Sequence, residues 1–171
     1  INTRDATVPS DAGCVVLVNC TNMQVKNLKL ENAEGVLFAH TTNSMITQNN
    51  MTNNSYGCYL VLSSNNNTIT RNNVTNNSQD GISIKGCLGT TVSYNNVTGN
   101  SNNGIYTYFS LNNTISYNNV TGNWGGIYTD SCSGAAISYN NVTGNSYGIY
   151  TYYCSGAAIS YNNVTGNWGG I

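Results

Sequence analysis

Residues 116–171 decide the fold, because they give one pattern almost unchanged: SYNNVTGNWGGIYTDSCSGAAISYNNVTGNSYGIYTYYCSGAAISYNNVTGNWGGI. The pattern continues towards the N-terminus in weaker form, with an interval of 22 to 24 residues between equivalent apolar positions. Repeats with a period of roughly 20 to 50 residues are typical of solenoids and propellers. One apolar column follows the glycines of successive repeats: Cys14, Val36, Cys58, Ile82, Ile105, Ile127, Ile149 and Ile171.

Two more apolar columns accompany the first one. The second contains Met23, Ile46, Ile69, Val92, Ile115, Ile137 and Ile159, and the third contains Leu28, Met51, Val74, Val97, Val120, Val142 and Val164. Each repeat therefore offers three short β-branched runs, whereas asparagine, threonine and glycine disfavour a helix. A propeller blade needs a longer repeat, of about 40 residues.

The sequence therefore predicts an all-β fold, a right-handed single-stranded parallel β-helix over residues 14–171. We expect about seven coils of 22–24 residues with three short strands per coil. Residues 1–13 depart from the repeat and contain the single proline, Pro9. They are interpreted as a leading segment, as an N-terminal cap, or as a strand exchanged with a neighbouring molecule. The last repeat has no cap, which indicates a segment of a longer chain or an end used for stacking.

Asparagine recurs at one position in seven successive coils. This column predicts a ladder of amides that point into the coil and hydrogen-bond along the rod. Its members are Asn27, Asn50, Asn73, Asn96, Asn119, Asn141 and Asn163. A second ladder is expected for Asn54, Asn77, Asn100, Asn123, Asn145 and Asn167.

Charge is scarce, at 6% of residues with a net charge of −1. Nucleic-acid binding needs a basic face, which five lysines and arginines do not form. No apolar run approaches the roughly 18 residues of a membrane span. The single histidine, His40, is interpreted as a solvated loop residue, and no spacing typical of a zinc or haem site occurs, so no metal or cofactor is predicted.

Carboxylates are too sparse to predict glycoside hydrolysis, which needs two of them roughly 5 to 9.5 Å apart. Asp11 and Glu34 form one possible pair in neighbouring coils, although solvated charge at a cap is the simpler interpretation. Beyond Gly86 the single charged residue is Asp130. We therefore expect a protein that is not an enzyme and has no catalytic residues.

Cys132 and Cys154 lie at equivalent positions in neighbouring coils. A disulfide between them is possible, although parallel strands hold Cβ atoms farther apart than a relaxed disulfide prefers. Thiols copied by duplication are the main alternative, and a ladder binding a soft metal is a third.

Aromatic residues indicate a surface that binds partners. Assembly or sugar binding is expected at Tyr106, Tyr128, Tyr150, Trp124 and Trp168, because exposed aromatic side chains anchor both kinds of ligand. A second column is Tyr94, Tyr117, Tyr139 and Tyr161, with Arg71 and Gln48 in earlier coils. Strand alternation points this column inward, whereas Arg71 and Gln48 point it outward.

Asn-X-Ser/Thr sequons are numerous. Those on the first asparagine ladder are interpreted as by-products of ladder geometry, because an amide inside the coil leaves no room for a glycan. Glycosylation is expected at the sequons near turns, which are Asn19, Asn53, Asn66, Asn76 and Asn112.

The motif NNTISYNNVTGN with GIYTY, and the N-terminal stretch VPSDAGCVVLVNCTNMQVKNLKLENAEGVLF, resemble the NosD-like parallel β-helix repeats. These repeats belong to the class of carbohydrate-binding proteins and sugar hydrolases, and they are abundant in archaeal surface proteins. The resemblance implies a β-helix at a cell surface. The copper handling linked to the family's name is not expected here, because no copper motif is present.

The expected function is that of a non-catalytic extracellular structural protein, a subunit of a surface layer or self-assembling filament. We expect a homo-oligomer formed by end-to-end stacking, an extracellular or cell-surface location, and possible glycan partners. The alternative is a carbohydrate-binding or carbohydrate-processing β-helix module. Ice binding by the threonine column is a third possibility: Thr98, Thr121, Thr143 and Thr165.

Overall fold

The computed structural model describes Pro9 and residues 12–171. Within that part of the chain, 21 short strands form three parallel sheets of seven strands, and no helix occurs. Each coil contributes one strand to each sheet, so the fold is a right-handed parallel β-helix of seven coils, as predicted. The proposed leading segment, residues 1–13, lies outside the described residues except for Pro9, Ala12 and Gly13.

The strands are numbered in chain order, and every third strand belongs to the same sheet. The first sheet contains β1 (Cys14–Val18), β4 (Gly35–Ala39), β7 (Cys58–Val61), β10 (Ile82–Lys85), β13 (Asn103–Tyr108), β16 (Gly125–Asp130) and β19 (Tyr147–Tyr152). The second contains β2 (Gln24–Lys26), β5 (Met45–Thr47), β8 (Thr68–Thr70), β11 (Thr91–Ser93), β14 (Thr114–Ser116), β17 (Ala136–Ser138) and β20 (Ala158–Ser160). The third contains β3 (Lys29–Glu31), β6 (Asn50–Thr52), β9 (Asn73–Thr75), β12 (Asn96–Thr98), β15 (Asn119–Thr121), β18 (Asn141–Thr143) and β21 (Asn163–Thr165).

The core is a set of identical or similar side chains stacked along the rod. Ile105 pairs with Ile127, and Ile127 with Ile149, so that each isoleucine lies directly above its equivalent in the next coil. Their side chains are essentially fully buried. Complete burial of one such side chain stabilises the folded state by about 1.5–3 kcal/mol. The apolar columns of the sequence therefore supply the driving force for folding.

The first coil is aligned differently from the sequence-based expectation. Val15, and not Cys14, pairs with Val36, so Val15 occupies the core column and Cys14 is exposed. Val25 and Leu30 likewise replace Met23 and Leu28 in the other two columns. The expectation placed the column after Gly13, but the coil that begins there is shorter than the later ones by one to three residues.

The asparagine ladder of the sequence analysis is present but faces solvent. From Asn73 onwards, Nδ2 of each asparagine donates a hydrogen bond to Oδ1 of its equivalent in the preceding coil at 2.8–2.9 Å. The column contains Asn50, Asn73, Asn96, Asn119, Asn141 and Asn163. The predicted inward direction is wrong for this column, because each of these residues is the outward-facing first residue of its strand. Asn27 is not a member, since Lys29 pairs with Asn50.

The buried ladder is formed by the preceding asparagine of each Asn-Asn pair. Nδ2 of each asparagine donates a hydrogen bond to Oδ1 of its equivalent in the following coil at 2.9–3.0 Å. The column contains Asn49, Asn72, Asn95, Asn118, Asn140 and Asn162. The same amides donate to backbone carbonyls of the preceding coil, as Asn95 does to Ile69 at 2.9 Å. A second buried ladder runs from Asn77 to Asn167 with distances of 2.8–3.1 Å. These two ladders satisfy the polar backbone at two corners of every coil.

Residues with positive φ form an exposed corner between the second and third sheets. This column comprises Asn27, Gln48, Arg71, Tyr94, Tyr117, Tyr139 and Tyr161, with φ of 55–57°. A left-handed backbone conformation reverses strand alternation, so the tyrosines point outward, and the conflict left open by the sequence is resolved. Their rings stack face to face with centroids 5.0 Å apart. Arg71 continues the stack with Cζ 5.6 Å from the Tyr94 ring.

We predict that Asn95→Ala destabilises the protein far more than Asn96→Ala. The first change leaves the Asn72 amide groups and the Ile69 carbonyl without their partner, whereas the second exposes groups that water can satisfy. Urea unfolding followed by circular dichroism should show a loss of about 3 kcal/mol or more for Asn95→Ala and below about 1 kcal/mol for Asn96→Ala. Equal losses would contradict the role of the buried ladder.

Candidate functional site

The outer surface of the first sheet carries two rows of aromatic side chains, which we call the tyrosine face. Row one contains Tyr59, Tyr106, Tyr128 and Tyr150, with Ser83 between the first two, and row two contains Tyr108 and Tyr152. Tyr106, Tyr128 and Tyr150 follow one another with centroid distances of 5.4 and 5.2 Å. The regular coil spacing thus turns one repeated tyrosine into a continuous aromatic strip along the rod.

Two charged side chains lie in row two, beside this strip. Lys85 precedes Tyr108, and its Nζ lies 5.2 Å from the Tyr59 ring and 5.6 Å from the Tyr106 ring. Asp130 follows Tyr108 and accepts a hydrogen bond from Ser131 Oγ at 2.8 Å. A cation and a carboxylate therefore lie on the same face two coils apart, about 10 Å by strand spacing.

Burial and negative charge make Tyr106 and Tyr128 weaker acids than an ordinary tyrosine. Burial raises the pKa of Tyr106 to about 12, and the nearby Asp130 carboxylate adds to the shift. Burial and Asp130 also raise the pKa of Tyr128. At neutral pH both phenols are therefore protonated and can donate a hydrogen bond.

A pocket of about 280 Å³ opens between the coils at the C-terminal half of the tyrosine face. Four aromatic side chains line it: Trp124, Tyr128, Tyr147 and Tyr150. Trp124 and Tyr147 meet edge to face with centroids 5.2 Å apart. Asn103, which is buried, also lines the pocket. The ring centroids of Trp168 and Tyr147 are 5.9 Å apart, but Trp168 does not line the pocket.

Of the five surface residues predicted from the sequence, four lie together on the tyrosine face and the fifth does not line the pocket. Tyr106, Tyr128, Tyr150 and Trp124 come together on one face, and Trp168 lies at its edge. Sequence reasoning missed Asn103, because the residue lies in a column that otherwise contains unlike residues. The one available signal was its position directly before a glycine–isoleucine pair that recurs in the repeats, Gly104-Ile105.

Cys132 and Cys154 are both free thiols in adjacent coils. The Cys132 backbone N–H donates to Cys154 Sγ at 3.4 Å, so the two residues occupy one column, and the disulfide between them stays a prediction. Burial raises the pKa of the Cys132 thiol, which disfavours the reactive thiolate. Among the described residues, no three histidine, cysteine or acidic side chains are grouped closely enough to hold a metal ion.

The five sequons near turns all have exposed asparagines with positive φ of 52–57°: Asn19, Asn53, Asn66, Asn76 and Asn112. Glycosylation at them stays a prediction. The steric argument against the sequons of the Asn50–Asn163 column is wrong, because their amides face solvent and not the coil interior. In the part of the chain that the structure describes, no helix is long and apolar enough to cross a membrane.

The chain belongs to the right-handed beta helix family, whose model matches residues 34–171. A search of curated proteins gives no match. Among solved structures, a double mutant of the periplasmic alginate epimerase AlgG superposes with a TM-score of 0.75 at 17% identity, covering 88% of this chain and 43% of that one. The Dettilon tailspike protein gives a TM-score of 0.64 at 16% identity, covering 84% and 41%. The enzymatically active domain of bacteriophage CBA120 tailspike protein 2 gives 0.50 at 14%, covering 98% and 27%.

The expectation that this chain is not an enzyme is overturned by these matches, because they include an epimerase and a domain described as enzymatically active. That expectation rested on repetition and on low charge. Both arguments were incomplete, since the winding of the chain brings the few charged residues, such as Lys85 and Asp130, onto one face. The matches lend no support to a filament or surface-layer role. The chain spans less than half the length of each of these structures.

We predict that Tyr106 titrates near pH 12. Subtracting the ultraviolet pH titration of Tyr106→Phe from that of the wild type should isolate one phenol with a midpoint about two units above the ordinary value of 10.0. The unfolded chain releases this proton first, so the free energy of unfolding should fall as pH rises from about 10 to 12. A midpoint near 10 would show that the face is open to solvent at this position.

Proposed function

We propose that this chain is a carbohydrate-binding or carbohydrate-processing β-helix module that holds a glycan along the tyrosine face. The observation that carries the proposal is the strip of Tyr106, Tyr128 and Tyr150, which continues into an aromatic pocket. A polysaccharide is itself a linear repeat, so a surface with regularly spaced aromatic rings can contact several sugar units at once.

The chemistry of the face suits a sugar better than an apolar partner. Aromatic rings present apolar faces on which the C–H side of a pyranose can lie, while phenol hydroxyls remain available for sugar oxygens. Sites for small ligands generally combine apolar walls with a few well-placed polar groups. Tyr128 and Tyr150 supply the walls, and Lys85 and Asp130 supply charge along the same surface.

The fold relatives are consistent with this proposal. An alginate epimerase acts on a polysaccharide, and it has a β-helix of the same kind. A shared fold does not fix the substrate, so the glycan of this chain is identified by binding experiments. We also propose an extracellular or cell-surface location, which fits both a periplasmic and a tailspike relative.

We predict that Tyr128→Ala lowers affinity for glycans at least tenfold, whereas Tyr117→Ala does not. Both changes remove one ring from a row of tyrosines, but Tyr117 belongs to the corner stack on another side of the rod. A glycan array with the wild type identifies ligands, and titration calorimetry compares the variants. Failure of the wild type to bind any glycan on the array would refute the proposal.

Chemical conversion of a carbohydrate is tested with the glycans that bind to the wild type. Asp130 and Lys85 are the residues of this face best suited to accept or donate a proton, and general acid–base groups contribute roughly 10²–10⁴-fold to rate. We expect Asp130→Asn to lower the rate of product formation, measured by nuclear magnetic resonance of the glycan, by at least 100-fold. Binding should change less than threefold. Unchanged turnover in Asp130→Asn would remove Asp130 from the mechanism, and a bound glycan that stays unaltered would limit the module to binding.

A further inference from the structure

Row one of the tyrosine face lacks an aromatic ring in one coil, at Ser83. Ser83 pairs with Tyr59 on one side and with Tyr106 on the other, and its side chain is shorter than theirs by a whole ring. Lys85 follows two residues later in the same strand and therefore points to the same side of the sheet. The coil that lacks a ring thus supplies a cation to this face.

The ammonium group of Lys85 lies between the two rings that border the gap. Its Nζ is 5.2 Å from the centroid of the Tyr59 ring and 5.6 Å from that of the Tyr106 ring. Together these distances only slightly exceed the separation of about 10 Å that strand spacing gives for residues two coils apart. A cation within about 6 Å of an aromatic face is attracted by the ring. Two such contacts hold the ammonium group in one position.

This positive charge has no acidic partner. Within the part of the chain that the structure describes, the one salt bridge joins Lys29 and Glu31, and Lys85 Nζ donates no hydrogen bond. Asp80 is buried, and its Oδ1 accepts hydrogen bonds from Asn103 Nδ2 at 3.0 Å and Asn103 N at 3.1 Å. An ammonium group has three donors and no acceptor, so the hydrogen-bonding capacity of Lys85 is available to an anionic ligand.

Negative charge farther along the face limits the kind of ligand. Asp130 lies in the same row as Lys85, two coils away. Burial raises the pKa of Tyr106 and of Tyr128, and the Asp130 carboxylate is the next largest cause of both shifts. The charge of Asp130 therefore reaches the rings of row one, where it repels a second anionic group. A sugar unit at this place should be neutral.

We infer that Lys85, Tyr59 and Tyr106 form a subsite for one anionic group of a glycan, a carboxylate or a sulfate. Neutral sugar units follow over Tyr128 and Tyr150. The inference rests on the proposed function and narrows it to glycans in which acidic units are separated by neutral ones. Lys85 determines this specificity, because it is the one cation among the described residues of the tyrosine face.

Lys85→Met tests the subsite, because it removes the charge and keeps an unbranched side chain of similar length. Lys85→Arg keeps the charge. The matched control is Lys26→Met, which removes an exposed lysine from the second sheet, outside the tyrosine face. Lys85 does not belong to the buried core, so these changes leave the apolar columns intact. Thermal unfolding by circular dichroism verifies that the three variants fold.

Binding is measured by titration calorimetry with two matched pairs of oligosaccharides. The first pair is a xylose tetrasaccharide with one glucuronate branch and the same compound after reduction of its carboxylate to a hydroxymethyl group. The second pair is a glucose tetrasaccharide with and without one sulfate group. A galacturonate tetrasaccharide, in which every unit is charged, is the fifth ligand. All five are also placed on the glycan array.

We expect the charged member of at least one pair to bind to the wild type at least tenfold more tightly than its neutral partner and than the galacturonate tetrasaccharide. Lys85→Met should abolish this advantage and change the affinity for the neutral partner less than twofold. Loss of the lysine and loss of the anionic group should therefore not be additive. Lys85→Arg should keep the advantage, and Lys26→Met should change neither affinity more than twofold. The pair that shows the advantage identifies the anionic group.

Other outcomes separate the inference from the proposed function. Equal affinity for the charged and neutral members of both pairs, or an array on which neutral glycans alone bind, would overturn the anionic subsite and leave the tyrosine face intact as a binding surface. An equal loss for both members in Lys85→Met would reduce Lys85 to a structural role. Tightest binding of the galacturonate tetrasaccharide would overturn the requirement for neutral units. If no glycan binds to the wild type, the proposed function fails, and the subsite fails with it.

Discussion

The side-chain amide of a buried asparagine is the constraint on which this structure depends. In each coil, one amide accepts from the coil before it and donates to the coil after it, as Asn95 does between Asn72 and Asn118. A chain with so many turns leaves many backbone groups away from strand partners, and burying them without hydrogen bonds would be costly. The ladders satisfy these groups at two corners, and they fix which residue lies above which.

Fixed register gives the repeats their functional meaning. Because Ile105 lies above Ile82 and below Ile127, every outward-facing residue is also aligned with its equivalents in the neighbouring coils. The same register places Tyr106, Tyr128 and Tyr150 in one strip. Repetition alone makes a uniform rod. Chemistry enters where the repeat is broken, as at Lys85 and Asp130.

The periodicity of the sequence is sufficient to predict the fold, because β-branched residues at 22-residue intervals have few other ways to be buried together. It does not distinguish Asn95 from Asn96, since two adjacent asparagines have the same period and differ in direction alone. The direction of Tyr94 was ambiguous for a similar reason. Its positive φ of 57° turns the side chain to the opposite side of the strand, and a bulky residue such as tyrosine does not indicate this conformation in the sequence. The first coil was misaligned because Gly13 resembles the glycines of later coils.

The candidate site was accessible from sequence only in part. Aromatic columns predict a surface that binds ligands, and four of the five selected residues do lie together there. The pocket was not predictable, because it depends on which aromatic side chains of neighbouring coils come together around it. The expectation that the chain is not an enzyme rested on its low overall charge. Composition does not indicate that charged residues such as Lys85 and Asp130 lie on the same face.

The most direct test of the account is a crystal structure of the protein with a glycan that it binds. We predict density for the glycan along the tyrosine face, with sugar rings in contact with Tyr106, Tyr128 and Tyr150. A glycan lying instead on the corner stack of Tyr94, Tyr117, Tyr139 and Tyr161 would contradict it.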